Sequence, residues 1–331
     1  MKKTLIYGGG VMGSFLAHCL YSSKHKIFFL CRKKHYKICK KRGLTINIHD
    51  NELLKKRVNI KENENFNILN NLNKIKKGTY FDYIFITTKI TENLKKILLN
   101  VNPFINNSTA LIPPCTSIPF WWYQCLEKKK KKKFEEKIDQ IFLKNIKKKN
   151  IIGMTMWLSG IIEKPGTVKI NHIQRGFPVK EVFNKFKKKT NILRNDIKKE
   201  CKSPNVKNVF SEIFIKSTNA MAFNLIALET EKSNAELKKD KNDQKKIFKI
   251  LCEGDNILKK NKIKIFQSVS SRINQTLSST KHTLSMLTAY KNGKKIEIEN
   301  LWKSFENLIN ILNLKMNFTK EIFLKVKKKL K

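Results

Sequence analysis

The chain has 331 residues, and its 70 lysine and arginine residues against 26 aspartate and glutamate residues give a formal net charge of +44 at pH 7. Hydrophobic residues make up 40% of the chain, which excludes wholesale disorder, and the length suits two domains of roughly 150 residues. Such a charge is typical of proteins that bind nucleic acid or anionic membranes. Only six of the basic residues are arginine, however, the residue that base-reading and phosphate-binding surfaces favour. We therefore interpret the charge as compositional bias and expect no specific nucleic-acid partner.

The first half of the chain alternates short apolar runs with helical patterns, as βαβ units do. A helical pattern over Ser14–Leu20 follows the first apolar run. Six consecutive lysines, Lys128–Lys133, repel one another and are predicted to lie in a solvated loop. The predicted strands are Thr4–Tyr7, Lys26–Leu30, Asp82–Thr87, Ala110–Ile112, Ile151–Leu158 and Thr167–Asn171.

From about Ser211 the strand signals stop and apolar residues recur with a period near 3.6, which predicts helices. The segment Glu200–Asn208, which contains Pro204, is the natural boundary between the two patterns. We predict an α/β domain over residues 1–207 and an all-helical domain over residues 208–331. The predicted helices are Ile213–Leu228, Lys246–Leu258, Ser268–Tyr290 and Ile298–Leu330.

The seven cysteines are an odd number without a C-x-x-C pair, which fits neither a disulfide framework nor a zinc site. We expect a reducing cytoplasm and no metal ion. Residues 1–20 resemble a signal peptide in charge and length, but three consecutive glycines interrupt the apolar segment. No run of about 18 apolar residues occurs, so no membrane span is predicted. The sequence therefore predicts a soluble cytoplasmic protein.

A glycine-rich turn directly follows the first predicted strand and opens the first predicted helix. In a dinucleotide site with this spacing, Gly8 permits the tight turn and Gly10 lets the backbone approach a pyrophosphate. Gly13 would then let the helix pack closely on the strand, while the helix N-terminus offers N–H groups to the phosphates. A glycine turn without a ligand is the alternative, but the strand–turn–helix context favours a dinucleotide. The turn consists of Gly8, Gly9, Gly10, Val11, Met12 and Gly13, in the pattern G-x-G-x-x-G.

The residues after the second predicted strand indicate which nicotinamide cofactor binds. An NAD site usually has a carboxylate there, about 20 residues after the turn, that holds the ribose hydroxyls. This chain instead has Arg32, Lys33 and Lys34. A cation at this place pairs with a 2′-phosphate, and arginine is rare in the chain. The sequence therefore predicts a Rossmann-type domain that binds NADPH.

Together with the glycine turn, several separated motifs resemble the ketopantoate reductases (2-dehydropantoate 2-reductases). The resemblance extends over nearly the whole chain, in the family's order. The motifs are Thr87-Thr88-Lys89, Ser117-Ile118-Pro119-Phe120-Trp121-Trp122-Tyr123, Glu163-Lys164-Pro165-Gly166-Thr167-Val168, Glu212-Ile213-Phe214-Ile215-Lys216, Asn234-Ala235-Glu236-Leu237, Ser285-Met286-Leu287 and Glu297-Ile298-Glu299.

The resemblance implies a catalytic role for Lys216, the lysine of the E-L-W-x-K-like motif, as the proton donor. It also implies that Glu297 lies near the cofactor ribose or the substrate hydroxyl and orients that lysine. Lys89 and Thr116 correspond to positions near the cofactor. The implied substrate-binding residues are Asn224, Asn234 and Ser285.

Three departures from the family pattern concern the substrate. Thr116 stands where the family has an asparagine that meets both cofactor and substrate. Ala220 replaces an asparagine four residues after the lysine, although Asn219 precedes it, and Ala289 replaces an aspartate. The implied activity is NADPH-dependent reduction of 2-dehydropantoate to pantoate, in pantothenate and coenzyme A biosynthesis. The alternatives are another small 2-oxo acid as substrate, or a basic nucleic-acid-binding protein on a decayed reductase fold. The oligomeric state stays open, with a homodimer among the alternatives.

Overall fold

A computed structural model describes residues 1–49, 55–89, 94–114, 117–136, 148–278 and 284–330. The chain divides into two compact units. The first consists of Met1–Cys115 and Ile141–Val209, and the second of Thr116–Gln140 and Phe210–Lys331. The units therefore change at 209/210, two residues after the predicted boundary. The segment Thr116–Gln140 groups with the helical unit, which the local sequence pattern did not indicate because its partners there are distant in the chain.

The first unit contains a five-stranded parallel sheet. Its strands lie in the order Phe66–Leu69, Lys26–Leu30, Lys3–Tyr7, Tyr83–Ile86 and Ala110–Ile112, which are β5, β2, β1, β6 and β7. This is the strand order of a Rossmann sheet, whose direction of winding reverses between β1 and β6. The predicted fold class, a Rossmann-type domain followed by a helical domain, is confirmed. The strands in the described residues are β1 (Lys3–Tyr7), β2 (Lys26–Leu30), β3 (Leu44–Ile48), β4 (Lys56–Ile60), β5 (Phe66–Leu69), β6 (Tyr83–Ile86), β7 (Ala110–Ile112), β8 (Ile152–Met154), β9 (Trp157–Lys164), β10 (Thr167–Gly176) and β11 (Val179–Glu181).

A second sheet has the order β4-β3-β10-β9, and β8 pairs with β11 in a separate two-stranded sheet. The prediction of one strand over Ile151–Leu158 is wrong because the chain changes sheets within that segment. β8 pairs with β11, the N–H of Thr155 donates to the carbonyl of Pro178, and β9 then pairs with β10. Strands β3, β4 and β5 were not predicted. The polar residues of β4 are typical of an edge strand, and its pairing with β3 comes from tertiary context.

The helices of the second unit surround one central helix, which corresponds to the predicted helix Ile213–Leu228. That prediction and the one for Lys246–Leu258 are confirmed, within the helices Val209–Thr230 and Lys241–Lys260 respectively. No helix of the described residues is long and apolar enough to cross a membrane. The helices in the described residues are α1 (Val11–Ser22), α2 (Lys33–Arg42), α3 (Leu94–Val101), α4 (Lys128–Phe134), α5 (Lys187–Lys198), α6 (Val209–Thr230), α7 (Asn234–Lys239), α8 (Lys241–Lys260), α9 (Val269–Ser278), α10 (Ser285–Lys291), α11 (Ile298–Leu312) and α12 (Asn317–Lys329).

The lysine run forms helix α4, so the prediction of a loop over Lys128–Lys133 is wrong. Lysine has a good intrinsic helix propensity, and solvent screens much of the repulsion between its exposed ammonium groups. The helix is held at its ends by specific contacts. Phe134 is buried and stacks on Tyr123, with 5.6 Å between ring centroids, and Lys130 Nζ donates to Asn261 Oδ1 at 3.0 Å. These contacts anchor the helix within its own unit.

Two of the long predicted helices are interrupted. The prediction over Ser268–Tyr290 divides into α9 and α10, with residues 279–283 outside the described part of the chain. The prediction over Ile298–Leu330 divides into α11 and α12, because Asn313 takes the left-handed conformation, with φ of 52°, and ends α11. Asparagine tolerates that conformation better than most residues do, so it can end a helix without glycine.

Candidate active site

The glycine turn lies at the carboxyl end of β1, where the sheet reverses its winding. Gly8 has a φ of +127°, and its N–H donates to the carbonyl of Leu30 at 3.0 Å. A Cβ on Gly13 would lie 2.0 Å from the carbonyl oxygen of Gly8 and 2.5 Å from Thr87 Oγ1. Thr87 also donates its hydroxyl to that carbonyl oxygen at 2.7 Å. The glycines at positions 8 and 13 are therefore required by backbone conformation and by close helix–strand packing.

Gly10 differs from both, because a Cβ there would have no atom within 4 Å. It is the N-cap of α1, and the N–H groups of Val11, Met12 and Gly13 in the first turn have no acceptor within the helix. Open space above Gly10, beside N–H groups at the positive end of the helix, is the arrangement that a pyrophosphate needs. The residues present therefore fit a dinucleotide.

Gly9 packs on the sheet rather than toward that open space, since a Cβ there would lie 2.3 Å from Cys31 Cβ. Arg32 follows directly, at the end of β2, and is exposed as the N-cap of α2. The first turn of α2 contains no acidic residue. Because β2 is paired with β1, a cation at this position stands beside the glycine turn. This geometry fits the prediction that Arg32 meets a 2′-phosphate.

On the other side of β1, strand β6 ends just before Thr87, Thr88 and Lys89. Lys89 is exposed at this carboxyl end, as its predicted cofactor role requires. Thr88 was not predicted as a site residue. Its buried hydroxyl oxygen has no hydrogen-bond partner among the described residues, and its N–H is next to the turn, 3.0 Å from a Cβ built on Gly8. Buried hydroxyls are normally hydrogen-bonded, so Thr88 becomes a candidate for cofactor contact. Thr116, the remaining cofactor candidate, lies outside the described residues.

In the second unit, α6 is buried on nearly all sides, and only Lys216 and Ala220 are partly exposed between Ser211 and Leu228. They are four residues apart and therefore share one face of the helix. Two polar residues of the buried faces are satisfied within the helix. Ser217 and Thr218 donate their hydroxyls to the carbonyls four residues earlier, each at 2.8 Å. Between Ser211 and Leu228, Lys216 thus lies on the one face of the helix that is partly exposed.

Asn224 lies one turn beyond Ala220 on the same face and is 5% exposed. Its Nδ2 donates to the carbonyl of Ala220 at 2.7 Å, whereas its buried Oδ1 has no hydrogen-bond partner among the described residues. The buried Oδ1 of Asn219 has none there either. An amide oxygen in this state can accept a hydrogen bond from a ligand hydroxyl or ammonium group. The sequence indicated Asn219 only as the residue before Ala220, where the resemblance leads one to expect an asparagine. The burial of its Oδ1 makes it a further candidate for contact with a ligand.

Asn234, Ser285 and Glu297 lie on three other elements of the second unit. Asn234 opens α7, is completely buried, and has an Oδ1 without a hydrogen-bond partner in the described chain. Its Nδ2 points to the carbonyl of Thr276 in α9 at 3.4 Å. Ser285 is exposed at the first position of α10, and Glu297 is the partly buried N-cap of α11.

Helix α11 packs on α6 through Phe305 and Phe214, whose ring centroids are 5.5 Å apart. Glu297 is therefore presented by a helix that contacts the helix of Lys216. Glu212, one turn before Lys216, is a buried carboxylate on the same face and was not predicted as a site residue. The roles of Lys216 and Glu297 stay predictions.

Residues 4–113 match the family model described as ketopantoate reductase PanE/ApbA, about a third of the chain. The resemblance to the ketopantoate reductases is therefore confirmed. No curated protein sequence matches the chain.

Several solved structures share the fold over nearly all of both chains. A D-mandelate dehydrogenase with NADH and anilino(oxo)acetate is 20% identical, with a TM-score of 0.76, and the match covers 99% of this chain and 98% of that one. The 2-dehydropantoate 2-reductase from Geobacter metallireducens GS-15 is 14% identical, with a TM-score of 0.77 and coverage of 99% of each chain. A dimeric ketopantoate reductase from Staphylococcus aureus is 14% identical, with a TM-score of 0.66 and coverage of 98% of each chain. At these identities the likeness concerns the fold.

Proposed function

We propose that this chain is an NADPH-dependent reductase that converts 2-dehydropantoate to pantoate. The observation that carries the proposal is one face of α6. Lys216 and Ala220 are partly exposed on it, and the buried amide oxygen of Asn224 has no hydrogen-bond partner among the residues that the structure describes. This face combines a cation with an acceptor for a substrate hydroxyl, which are two groups that reduction of a hydroxylated 2-oxo acid requires. The family match over residues 4–113 supports the same reaction.

We assign cofactor binding to the domain over residues 1–207. The open space at Gly10 and the first N–H groups of α1 would hold the pyrophosphate, and Arg32 would hold the 2′-phosphate. Lys89 and Thr88 flank the same end of the sheet. The D-mandelate dehydrogenase neighbour binds NADH, so the choice of NADPH depends on Arg32 in this chain. When bound, the nicotinamide supplies the hydride that reduces the carbonyl carbon.

We assign substrate binding and proton transfer to the helical domain over residues 208–331. The ammonium group of Lys216 would donate a hydrogen bond to the carbonyl oxygen and polarise it. As negative charge develops on that oxygen, the same group gives up a proton and leaves a hydroxyl. Glu297 would accept a hydrogen bond and orient the lysine. The remaining proposed contacts to substrate are made by Asn224, Asn234 and Ser285.

A bulkier 2-oxo acid is the second candidate substrate. Ala220 is smaller than the asparagine that the resemblance leads one to expect. It is half-buried and lies one turn after Lys216 on the partly exposed face of α6. The D-mandelate dehydrogenase neighbour was solved with anilino(oxo)acetate, whose oxo carbon carries an aromatic ring through one nitrogen atom. An aromatic substituent of this kind could occupy the space that the alanine leaves.

The cytoplasmic location and a homodimer are also part of the proposal, the latter supported by the dimeric Staphylococcus aureus neighbour. The test is a panel of 2-oxo acids, including 2-dehydropantoate and phenylglyoxylate, with NADPH and with NADH. Absorbance at the nicotinamide band reports turnover. We expect the highest kcat/KM with 2-dehydropantoate and NADPH. Highest activity with phenylglyoxylate would favour the second candidate. No turnover of any acid, together with RNA binding that falls steeply with salt and has a fixed footprint, would favour the nucleic-acid alternative.

A further inference from the structure

A lysine and a tyrosine from two different elements of the first unit contact each other. Lys74 ends a short 3-10 helix (Leu72–Lys74) that follows β5. Its Nζ donates a hydrogen bond to the hydroxyl oxygen of Tyr36 in α2 at 3.1 Å and lies 5.1 Å from the centroid of the tyrosine ring. We call these two residues the Tyr36–Lys74 pair. Neither the sequence motifs nor the proposed function assigns a role to it.

The fold brings this pair to the same edge of the sheet as Arg32. β5 and β2 are neighbouring parallel strands with Leu69 opposite Leu30, so the residues that follow them lie side by side. Tyr36 is one turn after Arg32 in α2, and its N–H donates to the carbonyl of Arg32 at 2.7 Å. Side chains of an α-helix point back toward its N-terminus, which here is capped by Arg32. Lys74, which contacts the tyrosine ring, is therefore placed toward the first turn of α2.

The ammonium group of Lys74 is held in place and still has hydrogen-bond donors to offer. It has three N–H donors, and Tyr36 accepts from one of them. Among the residues that the structure describes, no carboxylate is paired with Lys74, and no acceptor other than Tyr36 is bonded to it. Lys74 is exposed, so a ligand can reach it. Because the tyrosine already restrains this side chain, a ligand that binds it loses less side-chain entropy than it would at a free lysine.

The charge of a phosphate monoester gives such a cation a purpose beside Arg32. At pH 7 a phosphate monoester carries a charge of about −1.5 to −2, which one arginine compensates only in part. Lys33 and Lys34 are exposed in the first turn of α2, and the described part of the chain offers their side chains no hydrogen bond or ion pair. Both would have to be immobilised by a ligand, whereas Lys74 is already held.

We propose that Lys74 is a second cation for the adenosine 2′-phosphate of NADPH and that Tyr36 is a positioning residue that holds it. The inference rests on the proposed function, to which it adds two residues. Arg32 would contact the phosphate from the end of β2, and Lys74 would contact it from the segment after β5. NADH has an uncharged hydroxyl in place of this phosphate and gains little from a second cation. The pair therefore increases the selectivity of the site for NADPH.

The experiment measures the dissociation constants of NADPH and NADH by calorimetric titration of the full chain. Lys74→Met removes the charge, and Tyr36→Phe removes the hydroxyl but keeps the ring. Lys76→Met is the matched control, because Lys76 is an exposed lysine two residues later in the same segment. The double variant Tyr36→Phe, Lys74→Met tests whether the tyrosine acts through the lysine. Urea unfolding of each variant reports the fold, and no step measures turnover.

We expect Lys74→Met to weaken NADPH binding by about tenfold and NADH binding by less than about twofold, because one charge-assisted contact to phosphate is lost. Tyr36→Phe should weaken NADPH binding by about threefold, since the ring contact with the ammonium group remains. It should have no further effect once residue 74 is methionine. Lys76→Met should change the affinity for either cofactor by less than about twofold, because solvent screens an exposed charge that does not touch the ligand.

Equal weakening of NADPH binding in Lys74→Met and Lys76→Met would overturn the inference, since only the general positive field would then be at work. Additive losses in the double variant would overturn the positioning role of Tyr36. Equal affinity of the unmodified chain for NADPH and NADH would contradict the proposed cofactor, and this inference with it. A preference for NADPH that Lys74→Met leaves unchanged would overturn this inference alone.

Discussion

Substitutions at two glycines of the same turn should have opposite consequences. A Cβ on Gly13 would lie 2.0 Å from the carbonyl oxygen of Gly8, so a shift of helix α1 against β1 is required. Overpacking of this kind costs about 1–3 kcal/mol, and the better helix propensity of alanine returns about 1 kcal/mol. Because this overlap involves backbone on both sides, the cost lies at the upper end of that range, and we expect Gly13→Ala to lower the free energy of unfolding by about 2 kcal/mol.

A side chain at Gly10 has no protein atom within 4 Å, and the backbone there is extended, with φ of −79° and ψ of −171°. Valine accepts this conformation, so Gly10→Val should change stability by less than about 1 kcal/mol. Its side chain would occupy the space that the pyrophosphate needs. We therefore expect NADPH binding to be lost.

The two variants are compared by urea unfolding without cofactor and by NADPH titration followed through protein fluorescence. Unchanged NADPH affinity in Gly10→Val would refute the cofactor assignment. Unchanged stability in Gly13→Ala would refute the packing argument. Loss of both properties in both variants would show that the turn is only structural.

Two further predictions concern charge. Arg32→Ala should weaken NADPH binding by about 1.5–3 kcal/mol and NADH binding little, because one charge-assisted contact to phosphate is lost. An equal loss of affinity for both cofactors in parallel titrations would contradict this prediction. Burial lowers the pKa of His18 and of His25 below 6.5, so the unfolded state binds more protons there and stability should fall as the pH decreases below about 6.5. Urea unfolding across this pH range measures the effect. The free energy of unfolding should decrease less in the double variant His18→Asn, His25→Asn than in the unmodified chain, and an equal decrease in both would contradict the role of these histidines.

The sequence alone predicted the parts of the site that depend on local geometry. The glycine spacing reports a turn within one βα unit, and the structure gives Gly8 and Gly13 the roles that the spacing predicted. The resemblance to the ketopantoate reductases indicated Lys216 and Asn224, and both fall within the predicted helix Ile213–Leu228. Arg32 follows its strand directly, so its position beside the turn also followed from local order.

Other features depend on contacts between distant segments, which a single sequence does not report. The helix over Lys128–Phe134 is anchored by Tyr123 and Asn261, and neither contact has a local signal. Strand β3 pairs with β10, more than 100 residues later, so its register comes from tertiary structure. The burial of the amide oxygens of Asn219 and Asn224 could likewise not be predicted from the sequence, because asparagine is abundant in the chain and packing decides which side chains are buried.

The central claim is that Lys216 donates the proton in reduction of a 2-oxo acid. The most direct measurement is kcat for 2-dehydropantoate with NADPH in Lys216→Ala, with Lys245→Ala and Lys294→Ala as controls. Lys246 is a poorer control, because it pairs with Glu229 at 3.0 Å, whereas Lys245 and Lys294 are exposed.

Lys216 is partly exposed on a helix, where alanine is well tolerated, so folding and NADPH affinity should survive. We expect kcat to fall by roughly 10²–10⁴-fold in Lys216→Ala, the range for a positioned general acid, and by less than about twofold in the controls. An equal fall in all three variants would show that Lys216 contributes only to the general positive field, and the assignment would be wrong.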